Sequence, residues 1–329
     1  MRFRGGLAAQ ILALALAVLP AFAAVKIEKV AYGGWPICYR VSNGEVELVV
    51  TTDIGPRIMR YGFVGGQNLF KEFKDQLGKS GEKEWQLRGG HRIWVAPEMV
   101  PESYAPDNTP VRAVIKGDLI TLTEPVESGA GFQKEMAIQM APAGSAVTVT
   151  HRIRNQNKAA KRIAVWAMSM MAQGGTVITE FPPRGTHDEF LQPTNPLTMW
   201  AYTDFSDTRW KFTKKYLALR QDPKNSAAQK TGLFNKDTWA SYILGSDVFV
   251  KRATAARPAE TYPDFGCSYE MFTNNEFLEI ETLGPIESVA PQHQIEHVEH
   301  WTLHKNVRIP ALTDDAIGRV IVPLIKAGR

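Results

Sequence analysis

The segment Glu45-Val46-Glu47-Leu48-Val49-Val50 begins with strict alternation of charged and apolar side chains. This two-residue period is typical of a β-strand that packs one face on a hydrophobic core. The segment follows Ser42-Asn43-Gly44, whose asparagine and glycine tolerate the backbone angles of a tight turn. The sequence therefore predicts a turn followed by a half-buried strand at this point.

The same pattern recurs along the chain. Five further stretches show it: Ile120–Thr123, Ala146–Thr150, Ser241–Leu244, Val248–Val250 and Phe277–Glu281. One helix is expected near the C-terminal end, beginning at Asp314-Asp315 and limited by Pro323. Many strands with few short helices predict an all-β fold, a single large antiparallel β-sandwich over residues 25–329.

Composition excludes several classes of protein. The chain has 329 residues and is 44% hydrophobic, which is enough for a large core and excludes intrinsic disorder. The net charge is +4 and no long run of lysine and arginine occurs, so a nucleic-acid partner is not expected. Phosphate loops, dinucleotide fingerprints and paired Cys-x-x-Cys motifs are also missing from the sequence, so no cofactor is expected.

Residues 1–24 are predicted to be a secretory signal peptide. Arg2 and Arg4 precede an uncharged stretch over residues 7–19, and Ala21-Phe22-Ala23 places small residues at a cleavage site. The alternative is an uncleaved membrane anchor, which the proline after the uncharged stretch disfavours. We therefore expect a periplasmic or secreted protein without stable membrane insertion once the peptide is cleaved.

Cys38 and Cys267 are the chain's only two cysteines. In an oxidising compartment they could form a disulfide that closes a long loop. Both are equally well explained as small buried hydrophobic residues, and the sequence leaves the two possibilities open.

One segment concentrates side chains that suit a sugar site. It runs from Gly89-Gly90 to Glu98 and contains His91, Arg92 and Trp94. An aromatic face stacks on the apolar side of a pyranose, and charged side chains bond its hydroxyl groups. The alternative is a hairpin turn whose arginine pairs with a nearby acid.

Two glutamates lie two positions apart in the predicted strand around residue 280. Glu279 and Glu281 would then face the same side of the sheet, and neighbouring carboxylates raise one another's pKa. Such a pair suits acid–base chemistry. The alternative is a solvent-exposed face that carries two charges.

The segment from Pro291 to Trp301 is rich in histidine. As a strand it would place His293, His297 and Glu299 on one face, and as a helix it would align His293, His297 and His300. Either set has the spacing of metal ligands, so a metal-binding protein is a third hypothesis. Ordinary core or surface histidines are the simpler explanation.

The order of motifs along the chain resembles the galactose mutarotase-like (aldose 1-epimerase) superfamily. The resemblance rests on residues 43–48, 53–58, 65–68, 89–94, 281–285 and 291–301, and extends from about Trp35 to Leu303. It implies a β-supersandwich that binds a carbohydrate ligand on its concave face. In this comparison Arg92 matches an arginine that contacts sugar hydroxyls, and Glu281 matches the glutamate of a Leu-Glu-Thr-Gln stretch.

The chain departs from the pattern of mutarotases at four places, one of which is Leu283 in place of the sugar-binding glutamine. His91 stands where asparagine is usual, His293 stands where the catalytic glutamate is expected, and Ala164–Ser169 lacks the acid histidine. We therefore predict an exported carbohydrate-binding protein, with epimerase-like chemistry or with a non-catalytic binding or scaffold role as the alternative. The predicted catalytic residues are His91, Glu98, Glu281 and His293, and the predicted sugar-binding residues are Arg57, Arg92, Trp94 and Asp264.

Overall fold

The computed structural model of the chain describes residues 24–327, so the predicted signal peptide lies outside the described residues except for its last position. Two large antiparallel sheets make up the described fold. The first sheet has eleven strands in the order β1-β2-β3-β4-β5-β10-β19-β18-β15-β12, with β20 beside β10. These strands are β1 Lys26–Tyr32, β2 Trp35–Ser42, β3 Val46–Thr51, β4 Arg57–Phe63, β5 His91–Ala96, β10 Lys161–Met171, β12 Leu197–Met199, β15 Gln229–Leu233, β18 Tyr269–Thr273, β19 Leu278–Leu283 and β20 Glu287–Val289.

The second sheet has ten strands in the order β13-β14-β11-β16-β17-β21-β9-β8-β7-β6. These strands are β6 Arg112–Lys116, β7 Leu119–Thr123, β8 Phe132–Met140, β9 Val147–Asn155, β11 Thr176–Glu180, β13 Trp210–Phe212, β14 Tyr216–Arg220, β16 Asp237–Leu244, β17 Asp247–Thr254 and β21 Gln294–His304. The predicted antiparallel β-sandwich is therefore confirmed, and each stretch with β-type alternation lies wholly or largely within a strand.

The core lies between the two sheets. Strand β9 shows how alternation builds it, because Val147, Val149, His151 and Ile153 are buried while the residues that alternate with them are partly exposed. At its centre Phe249 packs edge-on against Trp301, with ring centroids 5.5 Å apart. Burial of large apolar side chains of this kind stabilises the sandwich by roughly 1.5–3 kcal/mol for each side chain.

Among residues 24–327, helix is confined to short elements and one C-terminal helix. A 3-10 turn spans Ala259–Thr261, a helical turn α1 spans Pro263–Gly266, and helix α2 spans Asp314–Ala327. Helix α2 buries Ile317, Ile321 and Ile325 on the outer face of the second sheet. The prediction that Pro323 limits this helix was wrong, because the proline lies within α2 and the helix continues to Ala327.

Within residues 24–327, no helix is both long enough and apolar enough to cross a membrane. Cys38 and Cys267 are both buried free thiols. Of the two possibilities that the sequence left open, the structure therefore has two small buried residues and not a disulfide. The thiol of Cys267 lies 3.3 Å from the hydroxyl of Thr198, and burial raises the pKa of that thiol.

Candidate functional site

Strand β5 separates the residues of the Gly89–Glu98 segment onto two faces. The strand begins at Gly89-Gly90, where both glycines have positive φ and a side chain on Gly90 would lie 2.4 Å from the carbonyl oxygen of Ile58. Beyond this turn, alternation points His91 into the core and Arg92 onto the outer face of the first sheet. Adjacent residues of one motif therefore belong to different environments.

Strand pairing assembles a charged row on that outer face. Arg92 is opposite Met168 of β10, Met168 is opposite Glu281 of β19, and Glu281 is opposite Glu270 of β18. Further polar and aromatic side chains join this row from the same and neighbouring strands. We call the set the outer-face site, which consists of Arg92, Trp94, Trp166, Lys230, Glu270, Glu279 and Glu281.

Buried ion pairs hold the outer-face site together. Nη2 of Arg92 lies 3.2 Å from Oε1 of Glu279. Nζ of Lys230 lies 2.8 Å from Oε2 of Glu270 and 3.1 Å from Oε2 of Glu281. Each of these side chains is at most one-tenth exposed, so removal of one partner leaves a charge in a low-dielectric environment.

Aromatic rings cover both cations. The guanidinium of Arg92 lies 4.8 Å from the ring centre of Trp94 and 5.1 Å from that of Trp85. Nζ of Lys230 lies 4.6 Å from the ring centres of both Trp166 and Trp200. Each contact is within the range of a cation–π interaction, which orients the cation without using its hydrogen-bond donors.

The rim of the site is more exposed than its floor. Tyr104 is 37% exposed and donates a hydrogen bond to the exposed carboxylate of Glu98. Tyr202 is 45% exposed and packs edge-on against Phe272, the strand partner of Glu279. These side chains place hydroxyl and carboxyl groups where the floor meets solvent.

Burial shifts the acid–base properties of the floor. It raises the pKa of Glu279 to about 7, against the opposing effect of the Arg92 charge. Burial also raises the pKa of Glu270 well above its usual range, and the charge of Lys230 opposes that shift. Glu279 can therefore gain or lose a proton near neutral pH, as an acid–base catalyst requires.

Several buried polar atoms of the site have no hydrogen-bond partner. The donors are Nη1 and Nε of Arg92 and, beside them, Nε1 of Trp85, and the acceptors are both carboxylate oxygens of Glu270 and Oε1 of Glu281. Of these acceptors, Oε2 of Glu270 forms an ion pair with Lys230. Buried polar groups are nearly always paired, since an unpaired one costs about 1–3 kcal/mol. A ligand with both donors and acceptors, such as a polyol, would satisfy these atoms.

The structure brings together only some of the predicted residues. Arg92, Trp94 and Glu281 lie in the outer-face site, and Glu98 lies at its rim. Asp264 lies in α1 near the Glu270 end of the site, and its charge contributes to the raised pKa of Glu270.

The other predicted residues lie elsewhere. Arg57 is fully buried, and its guanidinium binds the carbonyl oxygens of Leu87 and Gly89 and the carboxylate of Asp107. These contacts support the loop before β5. His91 faces the core, and His293 is exposed just before β21 in the second sheet. His91 is on the opposite face of the first sheet from Glu281, and His293 precedes a strand of the second sheet. Neither histidine therefore belongs to the outer-face site.

His91 belongs to a second group of polar side chains between the sheets. Nε2 of His91 lies 2.7 Å from Nε2 of His151, and Nδ1 lies 2.9 Å from the hydroxyl of Ser169. Lys251 pairs with Glu299 at 2.8 Å. We call His91, His151, Lys251 and Glu299 the interior cluster, in which burial lowers the pKa of both imidazoles.

The metal set predicted from the histidine-rich segment does not form. The segment is strand β21, which points His297 and Glu299 inward, while His293 precedes the strand and is exposed. Instead, ligand atoms of His91, His151 and Glu299 all lie within 4.8 Å of one another. A cation there would have to separate the two imidazoles and compete with the ammonium of Lys251.

Sequence reasoning missed four of the seven residues of the outer-face site. Glu279 was recognised only as a neighbour of Glu281, although the shared parity of the two residues pointed to it. Glu270, Lys230 and Trp166 had no distinguishing motif, because three different strands supply them and only the sheet order brings them together.

Comparison with known proteins gives a match at the level of structure alone. No family model and no curated protein sequence matches the chain. A proposed aldose 1-epimerase from Klebsiella pneumoniae matches with a TM-score of 0.55 and 11% identity, over 92% of this chain and 88% of that one. A galactose mutarotase-like protein from Lactobacillus casei matches with a TM-score of 0.52 and 8% identity, over 80% and 99% of the two chains.

A third structure agrees with these two. A galactose mutarotase related enzyme from Lactobacillus acidophilus matches with a TM-score of 0.52 and 9% identity, over 82% of this chain and 98% of that one. The element order, the two antiparallel sheets and these matches together show that the chain has the galactose mutarotase-like fold.

Proposed function

We propose that the protein binds a carbohydrate at the outer-face site and catalyses an epimerase-like interconversion there. The observation that carries this proposal is the set of unpartnered buried donors and acceptors beside tryptophan rings. Nη1 of Arg92 and Oε1 of Glu281 lack partners within the protein. Sugar hydroxyls both donate and accept hydrogen bonds, so one ligand type satisfies both atoms.

Epimerisation at an anomeric carbon needs two proton transfers. A base takes the proton of the anomeric hydroxyl while an acid gives a proton to the ring oxygen, and the bond between that oxygen and the anomeric carbon breaks. The ring closes again after the carbonyl has turned its other face, and both protons return. Neither an oxidant nor a cofactor is required.

The two glutamates of β19 suit these roles. Glu281 accepts hydrogen bonds from Nε1 of Trp166 at 2.9 Å and from Nζ of Lys230, which hold it in position to act as the base. Glu279, with its pKa raised to about 7, carries the proton that the acid delivers. Arg92 positions the ligand through Nε and Nη1, the two donors that have no partner, while its Nη2 binds Glu279.

A non-catalytic binding module remains the alternative, and one observation favours it. The contacts of the outer-face site described above include no imidazole, whereas the mutarotase pattern provides one as the acid.

Export to the periplasm or medium also remains a prediction. Mass determination of the protein from a culture fraction would show whether residues 1–24 are removed.

Polarimetry on purified protein tests the catalytic proposal. We expect accelerated mutarotation of at least one aldose, and a loss of at least about 100-fold in Glu281→Gln, since one positioned acid or base contributes about 10²–10⁴-fold. His293→Ala, an exposed change outside the site, is the matched control. Binding without acceleration for every bound sugar would exclude the enzyme and support the binding module.

A further inference from the structure

The floor of the outer-face site contains more acids than bases. Glu270, Glu279 and Glu281 contribute three carboxyl groups, while Arg92 and Lys230 contribute two cations. The exposed carboxylate of Glu98 adds a further negative charge at the rim. The acidic groups of the site therefore outnumber its cations by one on the floor and by two when Glu98 is included.

The facing carboxyl groups of Glu270 and Glu281 are where a further positive charge is lacking. Glu270 and Glu281 are directly opposite each other on adjacent strands, an arrangement in which like charges destabilise a sheet. Lys230 binds Oε2 of each residue, and Oε1 of each has no partner. Two buried acceptor oxygens on facing glutamates thus lack a donor.

In the free protein, protons compensate for part of this imbalance. Burial raises the pKa of Glu270 well above its usual range and that of Glu279 to about 7. A ligand cation placed against these carboxylates would replace such a proton. Binding would then release protons to the solvent.

The surroundings favour an ammonium group. Trp166 and Trp200 already hold the ammonium of Lys230 at 4.6 Å from their ring centres, so their faces stabilise a desolvated cation. The unpartnered Nη1 of Arg92 requires an acceptor on the same ligand. A molecule with one ammonium group and several hydroxyl groups meets both requirements.

We infer that the preferred ligand of the outer-face site is an amino sugar, bound with its ammonium group between Glu270 and Glu281 and a hydroxyl oxygen against Arg92. This inference rests on the proposed function and narrows it to one class of sugar. A uronic acid or sugar phosphate would instead add negative charge to three carboxyl groups. A neutral hexose would leave the excess charge uncompensated.

Calorimetric titration of the full chain near pH 7, where the amino sugars carry an ammonium group, with matched pairs of sugars tests this inference. The pairs are glucosamine with glucose and galactosamine with galactose, and N-acetylglucosamine and glucuronate serve as controls. We expect one amino sugar to bind at least about tenfold more tightly than its neutral partner, and acetylation to abolish that preference. Glu270→Gln should reduce the ratio to about threefold or less, whereas Glu287→Gln, an exposed change on β20, should preserve it.

The outcomes separate the inference from the proposed function. Neutral sugars that bind as tightly as amino sugars would overturn the inference and leave the proposed function intact. If no sugar binds, the proposed function itself fails. The comparison between sugars uses the unaltered protein, so it decides the inference even where Glu270→Gln does not fold.

Discussion

His91 and Arg92 are adjacent in the chain and serve two separate polar clusters on opposite faces of one strand. Nε2 of His91 lies 2.7 Å from Nε2 of His151 between the sheets, while Nη2 of Arg92 lies 3.2 Å from Oε1 of Glu279 on the outer face. One motif thus supplies both a core contact and a candidate ligand contact. Substitutions at the two positions should therefore have different consequences.

His91→Ala should lower stability and spare ligand binding. The change leaves a cavity beside Trp301 and removes a partner of His151, so we expect the free energy of unfolding to fall by about 2–4 kcal/mol. Affinity for the ligand should stay within about twofold. Denaturant unfolding and calorimetry measure the two effects, and a hundredfold loss of affinity in a folded variant would return His91 to the site.

Arg92→Met should lower both stability and affinity. The variant leaves Glu279 buried without its partner, which costs about 3–5 kcal/mol when a buried pair is broken. Adding Glu279→Gln removes the unpaired charge and should restore most of the loss in unfolding free energy. If the double variant is no more stable than Arg92→Met, the ion pair does not explain the loss.

Stability should decline between about pH 4.5 and pH 7 because of Glu279. Its pKa is about 7 in the folded protein and near 4.5 when unfolded, so its contribution is complete below about 4.5 and is lost as the pH rises through about 7. His297, with its pKa lowered to about 4, acts in the opposite sense and costs stability as the pH falls from about 6.5 to 4.

Melting temperatures measured between pH 4 and 9 test this balance. We expect a maximum near pH 6, and a flatter decline above it in Glu279→Gln than in the unaltered protein. The exposed change Glu287→Gln is the control and should follow the unaltered profile. An unchanged decline between pH 6 and about 7 in Glu279→Gln would assign that decline to other groups.

Zinc should not stabilise the protein through the interior cluster. Lys251 already neutralises Glu299 at 2.8 Å, and each imidazole nitrogen of His91 and His151 already has a partner. We expect excess zinc to raise the melting temperature of the unaltered protein no more than it raises that of a His151→Gln variant. A stoichiometric ion in the purified protein, lost in that variant, would contradict this expectation and support the metal hypothesis.

The sequence was sufficient for the fold because alternation is a local property. The alternation around Val147 and Val149 predicts a buried strand face from the neighbouring residues alone. The site was only partly predictable, since Arg92 and Glu281 stand in motifs whereas Lys230 and Glu270 come from strands with no distinguishing pattern. Sheet order, which the sequence does not encode locally, places those four side chains together.

Calorimetric titration of the Arg92→Met/Glu279→Gln double variant with the sugar that binds the unaltered protein tests the central claim most directly. Both charges of the pair are removed together, so the fold is retained while the ligand contacts of Arg92 are lost. We predict an affinity at least about 100-fold weaker than that of the unaltered protein. Equal affinity in the folded double variant would place the carbohydrate site elsewhere on the molecule.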